Sequence, residues 1–395
     1  MAVELSYVVI TPHSIVKSRT GGIIARILSR TDLELVSAQI FAPDESFVNE
    51  YMESLKNPAL YAISSEQSEL FQDYVRENFM PSEGRKHRAM LLLFQGEDAI
   101  SKIFKICGPM SETGFTDHEK TAGETVRDTY ADLIWADKEK RIVKYFEPAV
   151  VFARSVESIK YTLNMFSKFL RNQENIVENI TYENPEIIER TLVIIKPDNW
   201  NYASSRPGSI IDMFSRTGLR IIGCKMFRMS VSQALEFYEP VKDVLVEKHS
   251  ANFGEKACKI LEKEFSMTLS DISKQYLTDG FGKNYANEQF EKIIEFMSGI
   301  RPDQCPKEYI TEPGKVKSMV LIYEGEHAVQ KIRKVLGPTD PTKAPGGTIR
   351  KEFGHSVMIN SAHASDSVEN AKREMNIVRI NENTLTLHID EYLKQ

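Results

Sequence analysis

The stretch AMLLLFQGEDAISKIFKICGP, residues 89–109, is matched without a gap by SMVLIYEGEHAVQKIRKVLGP, residues 318–338. Each begins with an apolar run typical of a buried strand and continues with apolar residues at helical spacing before Gly-Pro. Further blocks match in the same order: residues 21–41 with 208–227, and 123–128 with 346–351. A repeat that keeps its order indicates two copies of one domain.

The join between the copies is polar. The segment NQENIVENITYENPE, residues 172–186, is rich in Asn and Glu and contains a proline, which is typical of a linker. A long stretch of the second copy, beginning EKHSANFGEK at Glu247, has no counterpart in the blocks that match and resembles an insert. We therefore predict a first domain at residues 1–171, a linker at 172–188 and a second domain at 189–395. The insert in the second domain is predicted at about 246–288.

The order of elements in the second copy predicts its fold. Strand-like runs and helix-like runs alternate as β, α, β, helices, β, α, with a final strand before the histidine at position 363. SVSQALEFYEPV begins a helix behind Ser230 or Ser232 as N-cap. This order indicates an α/β (α+β) protein of two ferredoxin-like split β-α-β sandwiches, each an antiparallel sheet covered by helices.

Composition restricts the class of protein. Of the 395 residues, 42% are hydrophobic and 27% charged, as in ordinary globular proteins. The apolar runs are too short to span a bilayer and the N-terminus has no signal-peptide character, so we expect a cytoplasmic protein without membrane contact. Four isolated cysteines indicate neither disulfides nor a zinc site. A net charge of −6 argues against a specific nucleic-acid partner.

Five motifs follow one another in the second copy: IIKPD (194–198), EFYEPVKD (236–243), EGEHAVQKIRKVLGPTDP (324–341), GGTIRKEFG (346–354) and NSAHASDSVENAKRE (360–374). In this order they resemble the motifs of the nucleoside diphosphate kinase family. The resemblance covers nearly all of residues 189–395, whereas residues 1–170 resemble the family only through their apolar framework.

The resemblance implies a site for phosphoryl transfer. His363 would be the nucleophile, since neutral histidine offers a ring nitrogen near pH 7, and Glu374 would fix its tautomer. Positive charge and donors would surround the moving phosphoryl oxygens. The resemblance assigns phosphate contacts to Lys196, Arg333, Thr339 and Arg350, ribose contacts to Asn360 and Lys196, positions near the nucleophile to Tyr238 and Ser365, and base contacts to Phe290 and Ile293. Mg²⁺ would be held mainly by the nucleotide phosphates.

Each of these residues also has an ordinary structural reading. Lys196 could be a solvated lysine at a strand edge, and Arg333 and Glu374 could belong to charged helix faces. Thr339 could shape a turn, and Tyr238 could be a core residue. His118, in the first copy, lies before GETVRD rather than after it, so we interpret it as a polar loop residue.

The first copy lacks the implied chemistry. In the matched frame, the positions of Lys196, Arg333, Thr339, Asn360 and His363 hold Thr11, Phe104, Met110, Pro148 and Val151, and only Tyr51 and Arg127 are kept. Without a nucleophile or positive charge, this copy should not turn over nucleotides. We interpret it as a copy kept for packing or regulation.

The sequence thus predicts a nucleoside diphosphate kinase that passes the γ-phosphoryl of ATP or another NTP to an NDP through phosphohistidine on His363. The alternative is a non-catalytic nucleotide-sensing or scaffold protein in which the insert closes the second pocket. Because members of the family associate as dimers, the two copies are expected to form an intramolecular pseudo-dimer, and a homo-oligomer is also expected.

Overall fold

The computed structural model of the protein describes residues 3–57, 60, 65–82, 85–109, 123–137, 139, 142–178 and 180–394. Backbone contacts divide the chain into two units, one formed by Met1–Met226 with Met319–Gln395 and the other by Phe227–Ser318. Both sheets of the repeated domain lie in the first unit. In the described part of the chain, no helix is long and apolar enough to cross a membrane.

The first copy forms a four-stranded sheet and a separate hairpin. Its strands are β1 (Val3–Ile10), β2 (Glu34–Phe41), β3 (Ala89–Glu97), β4 (Asp132–Asp137), β5 (Ile142–Glu147) and β6 (Val150–Val151). Its helices are α1 (Pro12–Val16), α2 (Thr20–Arg30), α3 (Glu45–Leu55), α4 (Ser65–Phe79), α5 (Ala99–Cys107), α6 (Val126–Tyr130) and α7 (Val156–Leu170).

The remaining chain repeats this pattern, with a helical unit, Phe227–Ser318, inserted in its sequence. Its strands are β7 (Ile188–Ile195), β8 (Arg220–Phe227), β9 (Ser318–Glu326) and β10 (Ala362–Ala364). Its helices are α8 (Arg206–Ser215), α9 (Val231–Glu264), α10 (Asp271–Tyr276), α11 (Lys283–Ser298), α12 (Ala328–Leu336), α13 (Ile349–Phe353), α14 (Val368–Ile377) and α15 (Leu385–Leu393). A π-helical segment, Leu277–Gly282, joins α10 to α11, and short 3-10 turns lie at Pro185–Ile187, Pro197–Asn199, Pro302–Gln304, Lys307–Tyr309 and Pro341–Lys343.

The two sheets have the same strand order. The first runs β2-β3-β1-β6 and the second β8-β9-β7-β10, so in each copy the first strand lies centrally between the third and the last. The first strand pairs antiparallel with both of these neighbours in each sheet. This is the ferredoxin-like split β-α-β arrangement, and the predicted fold class is confirmed. One detail was wrong: His363 lies within the final strand, β10, rather than after it.

The helical unit begins with a continuous helix. Ser230 caps α9 through a reciprocal capping box with Gln233, as the sequence predicted for one of two serines. The helix then runs for 34 residues through Pro240 to Glu264. The chain therefore enters the predicted insert in the middle of a helix, because its helical pattern continues across that boundary.

The two copies pack against each other through α2 and α8. A Cβ atom added at Gly21 would overlap the backbone of Gly208 and Asp212, and one added at Gly208 would overlap the backbone of Gly21 and Ala25. Such reciprocal contacts between matched residues are typical of a two-fold interface. One apolar core contains buried residues of both copies, among them Ile24 and Ile211 in these helices.

The predicted linker is bound to the second copy at several of its residues. Val177 N donates to Ile222 O at a distance of 2.8 Å. Tyr182 Oη donates to Glu324 Oε1 at 2.8 Å, and Glu178 accepts from Arg190 at 2.7 Å. Tyr182 and Glu178 thus anchor the segment, which composition alone could not distinguish from solvated linker residues.

The chain ends on the first copy. Helix α15 packs against α7 and β2. Its Leu385 and Ile389 are buried in a second apolar core of the first copy, on the face of the β2-β3-β1-β6 sheet opposite α2. The C-terminal helix of the second copy therefore completes the apolar core of the first.

We predict that Gly208→Ala destabilises the protein, because its methyl group would meet backbone atoms that cannot move away as a side-chain end can. The expected loss is about 1–3 kcal/mol, the range for overpacking a close contact. Denaturant unfolding of the full chain would measure it. Gly280→Ala is the matched control, since a Cβ atom there meets nothing within 4 Å. Equal stability of the two variants would contradict the close helix crossing.

Candidate active site

The candidate nucleophile lies on the edge strand β10. His363 pairs with Ile194 of β7, and its neighbours Ala362 and Ala364 are buried. Since successive side chains of a strand point to opposite faces, burial of the two alanines directs His363 to the other face of the sheet. Its side chain remains 21% exposed, which leaves it accessible to a ligand.

Glu374 and Ser365 form one hydrogen-bonded group with the histidine. The carboxylate oxygens of Glu374 lie 3.1 and 3.0 Å from His363 Nε2, and Ser365 Oγ donates to Glu374 Oε2 at 2.6 Å. A carboxylate can only accept, so in the neutral ring the proton lies on Nε2 and the lone pair on Nδ1. Glu374 is only 4% exposed, which excludes the reading of it as an exposed helix-face residue.

The turn before β10 is strained and firmly held. Ser361 has φ of 71°, a left-handed conformation that costs a non-glycine residue about 1–3 kcal/mol. Its carbonyl accepts from Lys196 N at 2.9 Å and from Asn199 Nδ2 at 2.7 Å. Arg206 donates to its hydroxyl at 3.3 Å and to Phe353 O at 2.7 Å. These bonds fix the backbone two residues before the histidine.

Lys196 and Asn360 are buried together beside this turn. Lys196 Nζ donates to Asn360 Oδ1 at 2.8 Å, and Asn360 Nδ2 donates to Val357 O at 2.7 Å. Burial, followed by repulsion from Arg350, lowers the pKa of Lys196 to about 7, while Asp198 acts in the opposite direction. Lys196 is therefore not a solvated edge lysine, and its charge is sensitive to pH near neutrality.

The remaining predicted phosphate contacts differ in environment. Arg350 donates to Gly337 O at 3.0 Å and to Ala362 O at 3.1 Å, so it also clamps the start of β10. Arg333 is exposed on α12. Thr339 is exposed too, and its carbonyl accepts from Asn360 at 3.3 Å, in keeping with a turn position.

Three predicted residues lie in the helical unit. Tyr238 is half-buried on α9 with its ring 5.3 Å from that of Phe237. Phe290 is buried on α11, with Lys242 Nζ 5.5 Å from its ring, and Ile293 is half-buried on the same helix. Phe290 is the most buried of the three.

The first copy keeps the framework bonds of this site. Arg127, the counterpart of Arg350, donates to Gly108 O at 3.0 Å and to Val150 O at 3.1 Å. Thr11 N donates to Ala149 O at 3.2 Å, and Ala149 has φ of 61°, matching Ser361. Both copies therefore build the same strained turn, whatever chemistry follows it.

In the first copy, the residues around the corresponding turn include apolar side chains and charged groups that neutralise one another in ion pairs. Phe71 lies 5.4 Å, ring to ring, from Phe146 and 5.7 Å from the Arg127 guanidinium. Glu147 is fully buried and accepts from Lys17 at 2.5 Å and from Arg19 at 3.2 Å. Lys17 and Arg19 are thus already paired with a carboxylate. His118 and Met110, singled out in the sequence, lie outside the described residues.

Sequence reasoning missed Asn199 and Arg206, which hold the strained turn. Arg206 had a signal: the matched frame pairs it with Arg19, and each donates to the carbonyl of a matched residue, Phe353 and Tyr130. Asn199 had none, because its counterpart, Ser14, is a different residue with a similar role.

Over the described residues, no three histidine, cysteine, aspartate or glutamate side chains come together to hold a metal ion. Lys196 and Arg350 are cations and Asn360 is an amide, and all three bond to one another or to the backbone that leads into β10. This donor set suits phosphate oxygens. Such a set fits a Mg²⁺ ion that is carried by a nucleotide rather than by the protein.

Comparison with known proteins gives a consistent result for the second copy. The family model described as nucleoside diphosphate kinase matches residues 189–258 and 240–383. The chain is 33% identical over 188 residues to the nucleoside diphosphate kinase of Nitratiruptor sp., covering 48% of this chain and 93% of that protein. It is 34% identical over 190 residues to that of Sulfurisphaera tokodaii, covering 48% and 88%.

Solved structures give further matches. The Aquifex aeolicus nucleoside diphosphate kinase matches at 25% identity with a TM-score of 0.30, covering 50% of this chain and 98% of that one. An NDP kinase from Pyrobaculum aerophilum matches at 28% identity with a TM-score of 0.32, covering 48% and 94%. On the sequence matches, which span nearly the whole length of these relatives, the chain belongs to the nucleoside diphosphate kinase family.

Proposed function

We propose that residues 189–395 transfer the γ-phosphoryl of an NTP to an NDP through phosphohistidine on His363. The observation that carries the proposal is the pairing of His363 Nε2 with the buried Glu374 carboxylate at 3.0 Å. A histidine held in one tautomer by a buried carboxylate is an activated nucleophile. Family membership and the relatives' names support the same reaction.

Each half-reaction exchanges one bond at phosphorus. His363 Nδ1 attacks the γ-phosphorus, the bond from phosphorus to the β,γ-bridging oxygen breaks, and the NDP leaves with that electron pair. The ring then carries a positive charge, which the Glu374 carboxylate stabilises through Nε2–H. A terminal oxygen of a second NDP reverses the steps and regenerates the neutral histidine.

The surrounding donors would stabilise charge on the phosphoryl oxygens. We assign this to Lys196, Arg333 and Arg350, with Thr339 contacting the phosphates. Asn360, together with Lys196, would hold the ribose hydroxyls, and Ser365 would support Glu374. Tyr238 is assigned a position near the nucleophile, and Phe290 and Ile293 the nucleotide base. Mg²⁺, bound to the phosphates, would neutralise part of their charge.

The first copy is proposed to replace a second subunit. Its α2 packs on α8 through the reciprocal contact of Gly21 and Gly208, which supports an intramolecular pseudo-dimer. Because Arg127 is bonded to carbonyls and Arg19 to a carboxylate, and Val151 stands at the position of His363, we propose no nucleotide turnover there. Association of whole chains, a cytoplasmic location and the absence of nucleic-acid partners stay predictions.

We predict that His363→Ala abolishes both the phosphoenzyme and NTP-to-NDP exchange, because no other group supplies the attacking nitrogen. Incubation with γ-labelled ATP, followed by a test for an acid-labile, base-stable protein phosphate, measures the first. His118→Ala is the control and should retain both activities. A wild-type chain that binds nucleotide without forming phosphoenzyme would favour the non-catalytic sensor or scaffold instead.

A second prediction concerns pH. The charged form of Lys196 exists below its pKa of about 7, so the positive charge is present at lower pH and is lost as pH rises through that value. We expect kcat/KM to fall above about pH 7, approaching about tenfold per pH unit if only the charged form is active. Phosphate binding favours the ammonium, so kcat should fall at higher pH than kcat/KM.

Lys196→Met provides the test of this assignment. It removes the titrating group, so its activity should be lower by about a hundredfold or more and should lack the decline near pH 7. Steady-state kinetics of both proteins across the pH range would measure the effect. The assignment is wrong if the variant declines in parallel with the wild type.

A further inference from the structure

The last helix of the chain connects the catalytic copy to the degenerate one. Leu385 and Ile389 lie four residues apart on α15, on one face of the helix, and both are buried against the first copy. Leu387, on another face of the same helix, is 64% exposed. Helix α15 is thus oriented by the first copy's core.

Polar bonds reinforce this contact. Asp390 accepts from Ser167 Oγ at 2.6 Å and from Arg171 at 2.7 Å, and both donors lie at the end of α7 in the first copy. Asn383 Nδ2 donates to Leu170 O at 2.7 Å and so satisfies a carbonyl at the end of that helix. The contact therefore has a fixed register as well as an apolar face.

The same segment adjoins the helix that carries Glu374. Glu374 lies in the last turn of α14, where its carbonyl accepts from Val378 N at 3.0 Å. The chain between α14 and α15 is held by Lys225, which donates to Arg379 O at 3.0 Å. Both ends of this connection are anchored, one by the second copy's sheet and the other by the first copy.

We propose that the degenerate copy positions the catalytic carboxylate: by holding α15, it fixes the end of α14 and so keeps Glu374 against His363. This inference rests on the proposed function. Ile389 and Asp390 are positioning residues, since they act through Glu374 and touch no reacting atom. The first copy, on this proposal, contributes to the rate of phosphoryl transfer although it has no nucleophile.

The test compares full-length variants in single-turnover phosphorylation by labelled ATP. Ile389→Ala and Asp390→Ala should each lower the phosphorylation rate by about two- to thirtyfold, the usual range for coupling through packed elements, with little change in KM. Leu387→Ala should keep the wild-type rate. If thermal melting shows that Ile389→Ala fails to fold, the phosphorylation rate of Asp390→Ala decides the test.

Combination with Glu374→Gln separates positioning from a general loss of structure. If α15 acts through Glu374, then Asp390→Ala should have little further effect on a chain that already carries Glu374→Gln. Amide hydrogen exchange should also quicken at the end of α14 in Asp390→Ala and not in Leu387→Ala. Full additivity of the two substitutions, or a wild-type rate in Asp390→Ala, would overturn the inference.

Failure of the proposed function gives a different result. If the wild-type chain forms no phosphoenzyme, the proposed function is wrong and the inference fails with it. If the wild-type chain is phosphorylated and the α15 variants match it, only the positioning inference is wrong.

Discussion

Buried carbonyl groups must find donors inside the protein, and the turn before the last strand of each sheet depends on this requirement. In the second copy, Ser361 O is satisfied by the backbone of Lys196 and the side chain of Asn199. Arg350 satisfies the next carbonyl, that of Ala362. Because these bonds determine the course of the backbone, they determine where the following side chain lies. The position of His363 is a consequence of this turn.

Comparing the two copies of the tandem repeat distinguishes residues that support the fold from residues that are assigned to phosphoryl transfer. Arg127 and Arg350 make matching bonds to carbonyls, as do Arg19 and Arg206. Residues with matched partners in both copies therefore support the fold. Lys196, Asn360, His363, Ser365 and Glu374 have polar counterparts only in part or not at all, and these are the residues to which the proposed phosphoryl transfer is assigned. A single-copy protein would offer no such internal comparison.

Much of this organisation could be predicted from the sequence. Matched apolar blocks gave the two sheets, and the spacing of His363 and Glu374 was compatible with the bond that the structure contains. Contacts between distant segments left no comparable pattern. The side chain that holds the turn, Asn199, looks like any loop residue, and the residues of α15 look like those of any amphipathic helix. Their roles follow from partners more than a hundred residues away, which periodicity cannot identify.

The docking of α15 also sets an order for synthesis of the protein. Asp390 lies 223 residues beyond Ser167, its partner in the first copy. At ordinary rates of translation, the apolar surface that binds α15 stays exposed for on the order of ten seconds or more before α15 is synthesised. The first copy therefore leaves the ribosome before its core is complete. Loss of α15 would therefore expose apolar surface on a domain that is synthesised well before it.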